Sequence, residues 1–527
     1  MTITIAPKGN NAPADVRLDG TTDMAVLAKY VTQAGADIRI LKGIVNLNGG
    51  GSGDPSGGGY LRPGKGTTIT GEVGTVLEAR NSIVRLTIDK PGVTLRQLTF
   101  EGRAHIQWFD TGSDSLLADV TVDQDSEFGD YDDWKALAEQ QPSYAKPGTF
   151  YDLKKNCTAA FLFYAKWGTT LKNVTLRRCN AVRSYHHGFS MHVYSYQEGA
   201  TFENFLFEEC RAISCGSGLL SPRDWSTGFN TADTGNLRNV RLVGCKAIDA
   251  YQSGFHCDGN WSGHAQTVQG LVYDRCTAID CGQRCSPGEI ERFCCGFYGQ
   301  SGEYVDCTSR NCANAGFGIK NEKANSLVVK RCIDTDSAYG MICEYGSPGA
   351  KVQFTSMGAK VRAFQGQAGA SGGTLDLAII DPPSPAVTFG RTQRIDYIQC
   401  PGHAAQIRDK YDRLGYTLDG SRIAILAAEK PAVEVWGTSR VNGAIVYAIG
   451  PDTTIPDEPP APAVPDTPEV PPIVLPPEPQ PHLLSEDGCI KTVLPDGTKL
   501  MLVGGGFMDD DAAGHFPHGT IWRRAVE

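Results

Sequence analysis

NVRLVGCKAIDAYQSGFHCD, residues 239–258, decides the fold when it is laid over its neighbours. NVTLRRCNAVRSYHHGFSMH (173–192) and NFLFEECRAISCGSGLLS (204–221) precede it. GLVYDRCTAIDCG (270–282), with its matching GFYGQ at 296–300, follows. GEYVDCTSRNCANAGFGIK (302–320) and SLVVKRCIDTDSAYGMICE (326–344) complete the series. Each copy reads as an alternating strand, a Cys, a second short strand, a turn, and then Gly-apolar-x-x-polar. The aligned cysteines are Cys179, Cys210, Cys245, Cys276, Cys307 and Cys332, spaced by 31, 35, 31, 31 and 25 residues. VTLRQLTFEG from Val93 and SLLADVTVDQ from Ser115 repeat the first strand without the Cys.

Self-similarity at this period marks a solenoid. The copies have no helical period and are β-branched or aromatic at alternating positions, which disfavours ankyrin or leucine-rich repeats. Each short strand can instead pair with its counterpart one coil away, about 4.8 Å along the axis. Equivalent side chains then stack into ladders. The expected fold class is all-β: a right-handed parallel β-helix of about a dozen coils, on the order of 60 Å long. One interior ladder would hold the aligned cysteines and a second would hold Cys215, Cys281 and Cys312. Such a rod needs caps on its open ends. TDMAVLAKYVTQ (22–33) reads as an amphipathic helix with Thr22 as N-cap. The expected organisation is an arm and capping helix over 1–37, the β-helix over 38–450, a linker over 451–481, and a small docking tail over 482–527. The linker is rich in proline and acidic residues and reads as extended polyproline-type chain. In the tail, KTVLPDGTKLMLV reads as a hairpin turning at Pro495-Asp496-Gly497.

The helix, the strand-Gly-strand in ADIRILKGIVNLNG, then GTTITGE and VTLRQLTFEG, resemble the N-terminal region of the pectate-lyase-like β-helix superfamily. That group includes phage tailspikes and polysaccharide-active enzymes. The resemblance spans about residues 15–350, and Lys42 stands where a Pro usually precedes the turn Gly. It implies the parallel β-helix and glycan sites on the outer faces.

Composition narrows the function classes. Of the 527 residues, 41% are hydrophobic, so the chain can build a large core. The net charge of −10 and pI near 5.6 argue against a nucleic-acid partner, whose phosphates need a basic face. No apolar run is long enough to span a membrane. The first residues lack a secretory pattern, so the expectation is synthesis in a host cytoplasm and a final location in a virion, with an extracellular location as the alternative. The seventeen cysteines read as small buried thiols, with a few disulfides formed after release as the sharper reading. They lack the paired spacing of zinc knuckles, and neither a metal nor a cofactor is expected. The acidic loop DQDSEFGDYDDW (123–134) lacks calcium-loop spacing, and adjacent His186 and His187 should point to opposite sides of a strand. GGGSGDPSGGG (49–59) lacks the Lys-Ser/Thr ending of a phosphate loop.

Alternation in the Gly-apolar-x-x-polar segment turns Phe189, Phe255, Phe297, Phe317 and Met341 inward. It turns Ser190, His192, His256, Asp258, Tyr298, Gln300, Lys320 and Glu344 outward on one face. Asp258, His256, Lys320 and Glu344 are the candidate catalytic groups. A carboxylate pair there suits glycoside hydrolysis, whereas a Lys or His base suits proton abstraction beside a uronate carboxylate. Glycan contacts are assigned to His192, Tyr298 and Gln300, and to Arg223, Asp224, Trp225 and Trp261 on inserted loops, where rings can stack on sugars. The bland alternative for all of these is an ordinary solvated surface or loop packing. Three functions stay open: a virion spike, fibre or collar protein that recognises a surface polysaccharide, with or without cleaving it; a stand-alone lyase, hydrolase or epimerase; and a structural connector. The first implies virion partners bound through the tail and a homo-oligomer, most simply a trimer.

Overall fold

The computed structural model describes residues 2–48, 59–124, 159–165, 168–193, 200–216, 226–231, 236–257, 267–285, 293–299, 301–320, 327–343 and 351–366, and the backbone of strands from Thr374 onward. It is a right-handed parallel β-helix whose strands join into one 35-stranded sheet, wound so that each strand pairs with its equivalent in the next coil. Three faces repeat. The first runs through Thr170–Arg177, Thr201–Glu208, Asn236–Val243 and Val268–Asp274. The second runs through Asn180–Val182, Arg211–Ile213, Lys246–Ile248, Thr277–Ile279 and Thr308–Arg310. The third runs through Phe161–Ala165, Phe189–Val193, Phe229–Asn230, Phe255–Cys257, Phe297–Gly299 and Ala315–Ile319.

Both expected cysteine ladders are present, fully buried and with free thiols. Each sits just past a corner whose residue takes positive φ. Arg178, Glu209, Gly244, Arg275, Asp306 and Arg331 precede the first ladder; Ser214, Asp280 and Asn311 precede Cys215, Cys281 and Cys312. A single left-handed residue turns the chain, and the next side chain then points into a cramped interior. A small thiol fits there and donates to a carbonyl of the coil beneath. Cys245 reaches Phe207 O at 3.4 Å, Cys276 reaches Leu242 O at 3.3 Å, and Cys307 reaches Tyr273 O at 3.3 Å. A third corner carries Asn173, Asn204 and Asn239, also at positive φ, and their amides bond rung to rung at 3.0 and 2.9 Å.

Inside the third face a phenylalanine stack extends the expected inward row. Phe161, Phe189, Phe229, Phe255, Phe297 and Phe317 lie 4.6–4.8 Å apart, with ring planes within 11° of parallel. The strand spacing fixes that separation, so the rings stack in register and exclude water along the axis. From Phe189 onward a glycine precedes each Phe, and it is forced by thinness. A Cβ on Gly254 would lie 2.7 Å from Gly296 O and 2.9 Å from Cys281 Sγ. The residue 204–221 copy departs from the expectation here. Its third-face strand is Phe229–Asn230, not the earlier GSGLLS, because the coil holds extra chain before Gly228.

At the N-terminal end the parallel ladder already begins with Thr2–Ala6, which pairs with Asp37–Ile40, ahead of the boundary expected near residue 38. The helix is Asp23–Val31 and packs Met24, Leu27 and Val31 onto the core. Thr22 occupies the N-cap position, but its hydroxyl makes no capping bond. It donates to Asp19, whose carboxylate also accepts the Thr21 and Thr22 backbone N–H groups. Those backbone bonds hold the Asp19 pKa far below the usual range. In the tail, Ile490–Val493 and Lys499–Leu502 pair antiparallel as the hairpin reading expects. The linker, the hairpin's turn, residues 49–58 and the acidic loop from residue 125 lie outside the described residues. No described helix is long and apolar enough to cross a membrane.

Candidate functional site

The outer side of the third face carries a polar row that backs onto the phenylalanine stack. Register places Ser190, Asn230, His256, Tyr298 and Gly318 on successive rungs, each one residue after an inward Phe. The alternation therefore orients these side chains away from the core as expected. It does not solvate them: Ser190, Asn230, His256 and Tyr298 are 3%, 5%, 1% and 1% exposed. Period-2 alternation fixes which side of a sheet a residue takes, and is silent on what packs over that side.

The row is hydrogen-bonded at Ser190, Asn230 and His256 and stacked at Tyr298. His187 Nδ1 accepts from the Thr227 backbone N–H at 3.3 Å and lies 3.0 Å from Thr227 Oγ1. The other ring nitrogen, Nε2, lies 3.3 Å from Asn230 Nδ2. The same amide group reaches Ser190 Oγ at 3.3 Å. One rung further, Ser253 Oγ donates to Phe293 O, which uses its only proton. His256 Nδ1, 3.2 Å from Ser253 Oγ, is then the donor of that pair. His256 stacks on Tyr298 at 4.9 Å and 24°, with Phe293 against both rings at 5.3 and 4.8 Å. Tyr298, Phe293, Cys295, Ala315 and Ile342 form a small apolar cluster apart from the main core.

Of the residues singled out from sequence, the structure brings His256, Tyr298 and Lys320 to one end of this row. Lys320 is partly exposed, and its backbone N–H donates to Gly299 O at 2.9 Å, closing the rung beside Tyr298. Asp258, Glu344, Gln300, Arg223, Asp224, Trp225, Trp261 and the side chain of His192 lie outside the described residues. His187, Thr227, Asn230 and Ser253 escaped sequence reasoning. For Asn230 the signal was available: Gly228-Phe229-Asn230 repeats the Gly-Phe-polar triplets at Gly188, Gly254 and Gly296. His186 and His187 do not divide between inside and outside. Both are buried, their rings 3.8 Å apart and near perpendicular, because they lie in a turn before the strand. Among the described residues, no three His, Cys, Asp or Glu side chains converge as a metal site would require.

A concavity of about 550 Å³ lies at the corner between the first and second faces. Arg178 and Asp119 form a two-pronged ion pair there at 2.7 and 2.9 Å. Glu209, Arg211 and Lys246 add both signs of charge. It reads as a solvated charged ridge.

No protein-family model matches this chain, and no curated protein sequence does. Among solved structures it is similar to the A-module of the mannuronan C-5 epimerase AlgE4 from Azotobacter vinelandii, at 14% identity and TM-score 0.33, covering 82% of this chain and 97% of that one. It is also similar to tailspike gp49 of the Acinetobacter baumannii bacteriophage Fri1, a capsular polysaccharide depolymerase. There the identity is 11% and the TM-score 0.34, over 73% of this chain and 59% of that one. The catalytic domain of a GH87 α-1,3-glucanase gives 12% and 0.35, over 70% and 69%. Similarity at this level says nothing about activity, because one fold hosts many chemistries.

Proposed function

We propose that this chain is a virion-associated β-helix protein that recognises a cell-surface polysaccharide on the outer side of its third face. The observation that carries the reading is the outward row of Ser190, Asn230, His256 and Tyr298, hydrogen-bonded between Asn230 and Ser190 and stacked between His256 and Tyr298, ending at the partly exposed Lys320. A β-helix needs its interior for packing; it does not need histidines, an Asn and a Tyr on an outer face. Rigid strands hold such groups more accurately than loops do, as recognition requires. His256 and Tyr298 are buried, so in this reading they position their neighbours. Contact with the glycan falls to Lys320 and to Asp258, Glu344, Trp225 and Trp261.

Cleavage is the second part of the proposal. Lys320, partly exposed, is the candidate base, and the buried His256 serves to position the groups around it. A base there suits removal of the proton beside a uronate carboxylate, after which the glycosidic oxygen on the adjacent carbon departs and a double bond remains. Hydrolysis by Asp258 and Glu344 is the competing chemistry. The tail is proposed to dock on other virion proteins, and a trimer is the simplest assembly for such a spike.

A glycan-array screen followed by a reducing-sugar assay tests this. Binding of an acidic polysaccharide, weakened at least tenfold by Lys320→Ala, supports the reading. An unsaturated product supports elimination. Cleavage lost in Asp258→Asn, with a saturated product, supports hydrolysis. Absence of any glycan binding by the intact chain would remove the proposal and leave the connector role.

A further inference from the structure

Among the described residues most cysteines serve the interior, but Cys285, Cys294 and Cys295 stand outside it. The ladder thiols are committed to carbonyls of neighbouring coils, and burial pushes the thiols of Cys179, Cys276, Cys307 and Cys332 well up. Cys285 also donates to a carbonyl, Tyr251 O at 3.0 Å, but it and Cys294 pack with Tyr251 in a small cluster separate from the main core. Their sulfurs lie 3.6 Å apart, across nine positions of sequence. A disulfide needs about 2.05 Å, so an approach of roughly 1.5 Å bonds them. Backbone bonds hold both ends near this separation. Cys285 N–H donates to Gly282 O at 3.2 Å, Gly282 N–H donates to Ala250 O at 2.9 Å, and Asn314 N–H donates to Cys294 O at 2.9 Å. Access is asymmetric: Cys285 is 7% exposed and Cys294 is closed to solvent.

We propose that Cys285 and Cys294 are a disulfide-forming pair, oxidised by a small-molecule disulfide such as oxidised glutathione. The Cys285 thiolate attacks the reagent's S–S bond, forming a mixed disulfide and expelling one thiolate. The Cys294 thiolate then attacks the Cys285 sulfur, expelling the second. Two protein thiols and one reagent disulfide become one protein disulfide and two reagent thiols, so atoms and electrons balance. The bridge would tie the end of the second face to the residues just before Phe297–Gly299, the strand that carries Tyr298. This inference stands apart from glycan recognition, because it needs only the two sulfurs.

The reduced full-length chain is incubated with oxidised glutathione, then denatured for thiol counting and digested for mass spectrometry. The thiol count should fall from 17 to 15, with Cys285 joined to Cys294. Ladder cysteines should react slower by on the order of tenfold or more. The Cys285→Ser variant should form no bridge, and Cys295→Ser, altering the next residue along, should form it normally. If Cys285→Ser does not fold, linkage mapping of the unsubstituted chain decides alone. A persistent count of 17, or a bridge joining Cys294 to Cys295 or two ladder cysteines, overturns the proposal.

Discussion

Replacing Asp334 by Asn should flatten the pH dependence of stability. Where the interior row of the second face passes from alanine to polar residues, register aligns Ser309, Asp334 and Ser356. Asp334 is wholly buried, and its Oδ1 accepts from Ser309 Oγ at 2.7 Å and from Ser337 Oγ at 2.6 Å. Burial raises its pKa from 3.8 to about 7, against the two serine bonds, which lower it. The folded state therefore holds this proton more tightly than the unfolded chain does. Below pH 3.8 both states carry it and the site is neutral in its effect. Stability then falls as pH rises from there through 7, and levels off above. At about 1.4 kcal/mol for each tenfold change, the displacement corresponds to roughly 4 kcal/mol. Asn keeps the shape and two-sided hydrogen bonding of the protonated acid but cannot ionise. Melting of both proteins, scanned at one rate from pH 4 to 9, isolates this group, since all others cancel in the difference. The variant should match the parent at pH 4 and exceed it increasingly towards pH 8. A difference that does not change with pH, or a variant less stable at pH 8, would refute the reasoning.

Two further substitutions test the architecture. Phe229→Ala removes one ring from a stack with neighbours at 4.7 and 4.8 Å, and should cost about 3–5 kcal/mol in chemical denaturation, as a core cavity does. If residues 226–231 were instead a surface loop, the loss would stay under about 1 kcal/mol. Arg284→Lys should cost about 2 kcal/mol, because the guanidinium bonds Gly216 O, Cys215 O and Asp249 O at 2.7–2.9 Å and Asp249 Oδ1 at 3.0 Å, while an ammonium cannot span that set.

The cysteines made the winding legible. A Cys at nearly constant spacing after an alternating strand has few explanations other than a ladder, and it lies where expected. The inward phenylalanines were legible for the same reason. The corner conformation was not: Arg178, Glu209 and Arg331 are not residues that favour positive φ, and only stacking between coils holds them there. Extra chain before Gly228 hid one rung, because the nearer Gly-Leu pair in GSGLLS satisfied the pattern first. Thr2–Ala6 was missed because it meets Val16–Arg17 over two residues only and its longer pairing, with Asp37–Ile40, lies past the helix and leaves no local trace. For the site, sequence supplied the side of the sheet but not the burial, which depends on packing from outside the strand.

The two sides of the third face are mechanically one object. From Phe189 to Phe297 each Phe that stacks inward is followed by a residue of the polar row, so the coil spacing that sets the rings 4.7–4.8 Å apart also sets His256 against Tyr298, at 4.9 Å, and Asn230 against Ser190. The side chains share the same strand backbone, with no loop between core and site to absorb a displacement. A cavity at Phe255 or Phe297 should therefore shift His256 against Tyr298, whereas one at Leu176 on the first face should lower stability and leave that pair in place. If recognition uses the outer row, its geometry was set by the core, and glycan affinity should follow the first kind of damage far more than the second.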